Sequence, residues 1–266
     1  MDSHSKLYPL QIVTATDKNY LPYLRGLLRS LYLNGTTPLP MVITIIHRGI
    51  DRATQEELER RFPAPLHIRW FEPRIEKLKE VKAPLEFATC SPHYFRLLAP
   101  CILPQCTKAI YLDVDTLVLE NLLPLWTLDL DGKTVAAVQD SIPCVSEAIG
   151  NWKELNLDPY APYFNSGVLL IDLESWRAKG ISQQALSLCQ RYSQHLLAQQ
   201  KWPQYDQYGL NVALHKNWKE LEKAWNYGTD LLPEKANIIH FVGNGKIDLP
   251  TCHPYFTALF YDMLER

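Results

Sequence analysis

The sequence has no excess of charge of either sign. It carries 27 Lys and Arg against 29 Asp and Glu, a formal net charge of -2 over 266 residues. Nucleic-acid binders present a basic face, so no nucleic-acid partner is expected. No C-x-x-C occurs among the six cysteines, Cys90, Cys101, Cys106, Cys144, Cys189 and Cys252. That argues against a zinc ribbon or a thioredoxin-type motif and reads as scattered thiols in a reducing compartment. No apolar run is long enough to span a bilayer, and the polar start Met1 to Lys6 leads into no signal-peptide core. The expected location is cytoplasmic, and peripheral membrane contact through a surface helix stays open. There is no internal repeat and no linker. The length is within reach of one core, so a single domain over 1–266 is expected.

The apolar fraction, 47%, is that of an ordinary globular chain, and 19 prolines punctuate it where segments change. Leu10 to Thr16, Met41 to His47 and Leu66 to Phe71 read as strands. Between them, Tyr20 to Asn34 reads as a helix with Gly35 as its C-cap, and Asp51 to Phe62 as a helix with Thr54 and Glu57 at capping-box spacing. This alternation is the signature of a layered α/β fold. Ser91-Pro92 starts another helix, carrying Tyr94, Phe95 and Arg96 and stopping before Pro100. Further strands are expected at Thr134 to Val138, Val168 to Leu173 and Asn237 to Val242, and helices at Ser182 to about Gln200, from Asp206, and from His253 onward.

The stretch Ile110 to Leu119 stands out. Apolar residues lead into and out of it, so it reads as a buried strand broken by Asp113 and Asp115. Residues i and i+2 of an extended chain share a face. Two unpaired carboxylates there would resist ionisation, and a divalent cation on oxygen ligands removes the difficulty. A pair of solvated acids in a turn is the alternative. Asp17 and Asn19, Asp140, and the Gly243 to Lys246 loop also follow expected strands. In open α/β sheets, ligands bind beyond the carboxyl ends of the strands, so one site assembled from several loops is expected.

With these motifs in order from Val13 to about Lys246, the chain resembles family 8 glycosyltransferases, which include bacterial lipopolysaccharide galactosyl- and glucosyltransferases and the glycogenins. The resemblance implies a GT-A fold: α/β, with one Rossmann-like nucleotide-sugar-binding domain and a mixed central sheet. It implies Mn²⁺-dependent transfer of a hexose from UDP-glucose or UDP-galactose to a glycan, glycolipid or small hydroxyl acceptor, with retention of configuration. Carried over by motif, Ala15, Asp17, Asn19 and Tyr20 form the uridine turn. Arg96, in Tyr94-Phe95-Arg96, reaches donor sugar or phosphate. Asp113 and Asp115 form the metal motif, and Val114 between them belongs to the donor site. Asp140 contacts the transferred sugar, and Asn165 and Gly167, in Phe-Asn-Ser-Gly-Val, line it. Asp206 and Gln207 lie near the anomeric carbon. His240 is the third metal ligand, and Gly243 and Lys246 serve the diphosphate.

Two departures stand beside the resemblance. Lys246 is followed by Ile247-Asp248 and not Pro-Trp, and no basic C-terminal tail follows. Each carry-over has a structural counterpart: His240 as a core histidine, Asp17 and Asp206 as helix caps, and Trp202, Tyr205 and Tyr208 as packing in place of an acceptor platform. Gln207 is a poor nucleophile, which favours same-face attack by the acceptor, with Asp206 as nucleophile the alternative. The rival functions are an aspartyl-phosphate phosphatase using Asp113 and Asp115, a nucleotide-sugar-binding protein without turnover, and a self-glucosylating enzyme.

Overall fold

Apolar residues on both faces mark strands that are covered on both sides. Such strands build the centre of the computed structural model, which describes residues 9–35, 37–82, 86, 91–199, 205–233 and 235–265. Strand β1 (Leu10–Asp17) is buried over most of its length and pairs in parallel with β2 (Met41–Arg48), which pairs in parallel with β3 (Leu66–Phe71). On its other side β1 pairs in parallel with β4 (Lys108–Leu112), with Ile12 opposite Ile110. Strands β6 (Val135–Cys144), β7 (Pro162–Asp172) and β8 (Trp218–Glu220) complete a mixed sheet of seven strands in the order β3-β2-β1-β4-β7-β6-β8. Strand β7 runs antiparallel to both β4 and β6. A second sheet orders β5 (Thr116–Val118), β10 (Ile238–His240) and β9 (Tyr227–Gly228).

Period-2 alternation divides the strand residues between two apolar layers. Leu10, Ile12, Ile110 and Leu112 join Leu24, Leu27, Leu28 and Leu31 of the helix Leu21–Asn34, together with Phe256 and Phe260 of the closing helix Pro254–Glu265. Val13, Ala109 and Tyr111 face the other way, onto Phe95, Leu169, Trp176 and Leu210. Each fully buried Leu or Phe contributes about 1.5–3 kcal/mol relative to exposure.

The structure departs from the expected elements at several points. Ile110 to Leu119 is two strands in two sheets, with Asp113, Val114 and Asp115 in the turn that carries the chain from one sheet to the other. The Asp113 N–H donates to the Gly167 carbonyl (2.7 Å), while the Asp115 carbonyl accepts from the Phe241 N–H (2.9 Å), so neighbours in sequence hold different sheets. Strand β6 continues past Gln139 after a register shift, so Asp140 lies within it. Phe164 to Gly167 lies inside β7. From Pro92 a 3-10 turn runs to Leu98 and passes into a short helix Ala99–Ile102. Pro100 sits in that helix's first turn, where its missing N–H has no intrahelical partner to lose. Glu72 to Glu86, uncommitted in the sequence, contains a helix Ile75–Glu80.

The second helix spans Arg52–Arg61 and is capped by Asp51, whose side chain accepts from the Thr54 N–H at 2.8 Å. Glu57 closes no capping box there; it pairs with Arg25 at 2.6 Å. The Thr54 N–H lowers the Asp51 carboxyl from its ordinary value. A depressed carboxyl contributes stability above its ordinary range, and that contribution is lost as pH falls through the folded value. Asp51→Ala is expected to lower the thermal midpoint at neutral pH and Asp51→Asn to retain most of it, with the Ala difference closing at acid pH. An unchanged midpoint in Asp51→Ala would remove the cap from the account.

Candidate active site and metal centre

The chain leaves the large sheet at Asp113 and enters the small one after Asp115, and β10 pairs there with β5, His240 opposite Thr116. The seam between the sheets therefore gathers Asp113, Asp115 and His240, with one ligand atom from each lying within 4.8 Å of the others. His240 Nε2 is 3.6 Å from Asp113 Oδ2 and 3.4 Å from Asp115 Oδ1. Strand β7 passes so close that a Cβ on Gly167 would lie 2.2 Å from His240 Cε1 and 2.9 Å from Asp113 Oδ2. Glycine at 167 is what leaves room for His240 and Asp113. Two carboxylate oxygens and an imidazole nitrogen fit a divalent first-row cation.

Lys246 follows the 3-10 turn Gly243–Gly245, in which Gly243 has a φ of 56°, the left-handed region that glycine adopts without strain. Its ammonium lies 2.5 Å from Asp115 Oδ2 and 5.1 Å from the centre of the Tyr20 ring. Burial alone would raise the Asp115 carboxyl, but His240 and Lys246 outweigh it and hold the group well below the usual range. Burial alone would lower Lys246; Asp115 overrides it and pushes the ammonium up. Tyr23, which also faces Lys246, is pushed up to about 12 by burial.

Arg96 is buried and fully engaged. Its Nη2 donates to Asp113 Oδ1 (2.9 Å), Nη1 donates to the Ser166 hydroxyl (3.1 Å) and carbonyl, and Nε pairs with Asp206 Oδ2. The guanidinium also stacks over Tyr111, whose hydroxyl donates to Asp113 Oδ1 at 2.9 Å. Arg96 thus clamps the turn that carries Asp113 to the helix Tyr205–Ala213. Burial raises the Asp206 carboxyl, with Arg96 opposing it. Asp206 is not a cap: the helix begins before it and its carboxylate turns inward to Arg96.

Gln207 and Asn165 meet at Asp140. Gln207 Nε2 (3.1 Å) and Asn165 Nδ2 (3.0 Å) both donate to Asp140 Oδ2. Gln207 Oε1 accepts from the Ser166 N–H at 2.9 Å. Asn165 Oδ1 accepts from the Gly167 N–H (2.9 Å) and from Asn226 Nδ2 (2.8 Å), and Asn226 Oδ1 meets His240 Nδ1 at 2.9 Å. Nothing in the sequence marked Asn226, which lies outside every motif. Its burial beside the histidine is the only sign of it, and burial is not written in a sequence.

The turn after β1 stands further off. The Asp17 carboxylate accepts from the Asn19 N–H at 2.8 Å, capping the 3-10 turn Lys18–Tyr20, with Asp17 half-buried and Asn19 exposed. Ala15 packs against the second apolar layer, and the Val114 side chain is buried in the first. The contact between this turn and the cluster of Asp113, Asp115 and His240 runs through Tyr20 and Lys246, which lies on Asp115. Tyr208 is buried with its hydroxyl on Asn151, which is packing; Trp202, like Cys90, lies outside the described residues. Gly167→Ala is expected to destabilise the fold by about 1–3 kcal/mol, because His240 and Asp113 must move to admit the methyl. Chemical denaturation measures this, and a wild-type midpoint and slope would contradict the close approach of β7.

The chain matches the sequence profile of glycosyl transferase family 8 over residues 11–247. It is 28% identical to general stress protein A of Bacillus subtilis, over 96% of this chain and 93% of that protein. It is 30% identical to the glycosyltransferase GlyB of Streptococcus pneumoniae over 64% of this chain, a match that takes in 35% of GlyB. Among solved structures it is similar to the galactosyltransferase LgtC, determined with donor and acceptor sugar analogues, with a TM-score of 0.74 and 22% identity over 96% of this chain and 95% of LgtC. The fold is thus GT-A, with Asp113, Asp115 and His240, which could hold a metal ion, at the seam of its two sheets. The extent of the family match makes this chain a member of glycosyl transferase family 8, a glycosyltransferase.

Proposed function

We propose that the protein transfers glucose or galactose from its UDP-sugar to a glycan, glycolipid or small hydroxyl acceptor, with Mn²⁺ and with retention of configuration. The observation that carries this reading is the convergence of Asp113, Asp115 and His240 at the seam, with Lys246 on the same carboxylate. Mn²⁺ held by those three residues would offset the charge that builds on the departing diphosphate. Lys246 then exchanges Asp115 for a phosphate oxygen, and Tyr20 stacks on the uracil beside Asp17, Asn19 and Ala15. Asp140 and Asn165 take sugar hydroxyls from the edge they already share with Gln207.

Retention through a covalent intermediate needs a free carboxylate at the anomeric carbon. Gln207 has an amide held at both ends, by Asp140 and by the Ser166 N–H. Asp206 is buried against Arg96. Both arrangements favour same-face attack, with the UDP phosphate taking the acceptor proton and Gln207 and Asp140 positioning the sugar. Asp113 Oδ1 is already engaged by Tyr111 and Arg96, which disfavours that aspartate as a phosphatase nucleophile. Among the described residues five cysteines are free thiols, two of them buried, which suits a cytoplasmic enzyme. Among the described residues no helix is long and apolar enough to cross a membrane.

UDP release from a panel of UDP-sugars tests the assignment. One donor should be hydrolysed slowly with Mn²⁺, and EDTA or Asp115→Ala should reduce the rate by about 10²-fold or more. Turnover of no UDP-sugar, together with binding of none, would sink the reading. Lys246→Met should separate two effects, binding Mn²⁺ alone more tightly because the internal cation is gone, yet losing about 10²-fold in donor turnover. Weaker Mn²⁺ binding by this variant would mean that Lys246 does not compete for Asp115.

A further inference from the structure

We propose that Asn226 is a positioning residue that holds the His240 proton on Nδ1 and so presents Nε2 as an open lone pair to a divalent cation. The inference rests on the reading of Asp113, Asp115 and His240 as a metal centre, and the direction of one chain of hydrogen bonds carries it.

The chain starts at a group whose role is unambiguous. The Asp140 carboxylate accepts, and it faces the Nδ2 end of Asn165 at 3.0 Å. The oxygen end of Asn165 faces the Gly167 N–H at 2.9 Å, a group that can only donate. The two ends of an amide have nearly the same shape, so its orientation follows from its partners. Here an acceptor at one end and a donor at the other give the same answer. With Asn165 Oδ1 an acceptor, the Asn226 amide that meets it at 2.8 Å must present its NH₂. Asn226 Oδ1 is then turned to His240 Nδ1, 2.9 Å away. A carbonyl oxygen cannot donate, so Nδ1 carries the hydrogen.

The opposing pull comes from the other side of the ring. Nε2 faces Asp115 Oδ1 at 3.4 Å and Asp113 Oδ2 at 3.6 Å. Left to those carboxylates, a neutral imidazole would carry its proton on Nε2, the nitrogen that must be bare to bind a metal. Asn226 opposes that tautomer. It is only 9% exposed and immediately precedes β9, which lies parallel to β10 with Gly228 opposite His240, so its backbone is anchored beside the ring it orients.

Two measurements on the full-length protein test this. In ¹⁵N-labelled, metal-free protein, long-range ¹H–¹⁵N correlations assigned through His240→Gln should show a protonated Nδ1 in the wild type. In Asn226→Leu the proton should move to Nε2, and Mn²⁺ affinity, read without donor from the free-ion electron paramagnetic resonance signal, should fall about 10–100-fold. Asn226→Asp keeps an acceptor for Nδ1–H and should bind Mn²⁺ more tightly than the Leu variant. A wild-type His240 with a bare Nδ1, or wild-type Mn²⁺ affinity in folded Asn226→Leu, overturns the proposal. If Asn226→Leu does not fold, the wild-type tautomer alone decides. A wild type that binds no Mn²⁺ defeats the metal reading, whereas the tautomer, read without metal, judges Asn226 separately.

Discussion

Two carboxylates, Asp113 and Asp115, are held side by side in a partly buried turn, and the structure around them is largely an answer to that concentration of negative charge. Like charges at this distance in a low dielectric oppose joint ionisation unless cations stand close by. Two elements supply them. Arg96, from the 3-10 turn before β4, takes one oxygen of Asp113, and Lys246, from the loop after β10, takes one oxygen of Asp115. The remaining oxygens face the His240 imidazole. The arrangement leaves Asp113 Oδ2 and Asp115 Oδ1 facing the ring nitrogen and occupies the other two.

The same compensation ties the sheets and helices together. Arg96 cannot serve Asp113 without also bringing in Asp206, so the helix Tyr205–Ala213 is drawn onto the end of β4. Gln207, next along that helix, is thereby set against Asp140 and the Ser166 N–H of β7. Asn165, one residue before Ser166, passes the alignment on through Asn226 to His240. Residues proposed for the sugar and residues proposed for the metal belong to one network of directed hydrogen bonds. Changing one of them is felt at the others, as coupled polar groups in a low dielectric generally are.

Much of the fold was legible because it follows from local rules. The strand Leu66–Phe71 has the bounds that alternation implies, and the helix Leu21–Asn34 begins one residue from where its leucine spacing puts it. Errors arose where a longer-range partner overrode a local preference. Thr54 and Glu57 have capping-box spacing, but Asp51 was free to cap and Arg25, distant in sequence, claimed Glu57. Asp206 has a cap's identity, yet a buried arginine is the stronger partner. The run Ile110 to Leu119 looks continuous because both halves are buried; that they are buried in different sheets is a property of pairing, which periodicity does not record.

The sequence by itself determined the α/β layering, the family and the set of polar residues at strand ends, because periodicity, caps and motif order are written in neighbouring residues. Only the tertiary structure decided which of those residues touch. It placed His240 against the aspartate pair, spent Arg96 on Asp113 and Asp206, left Asp17 capping its own turn, and inserted Asn226 between Asn165 and His240. The reason is physical: the direction of a hydrogen bond and the compensation of a buried charge depend on distances between segments up to 131 residues apart, as in the Lys246–Asp115 pair, and no local pattern encodes those distances.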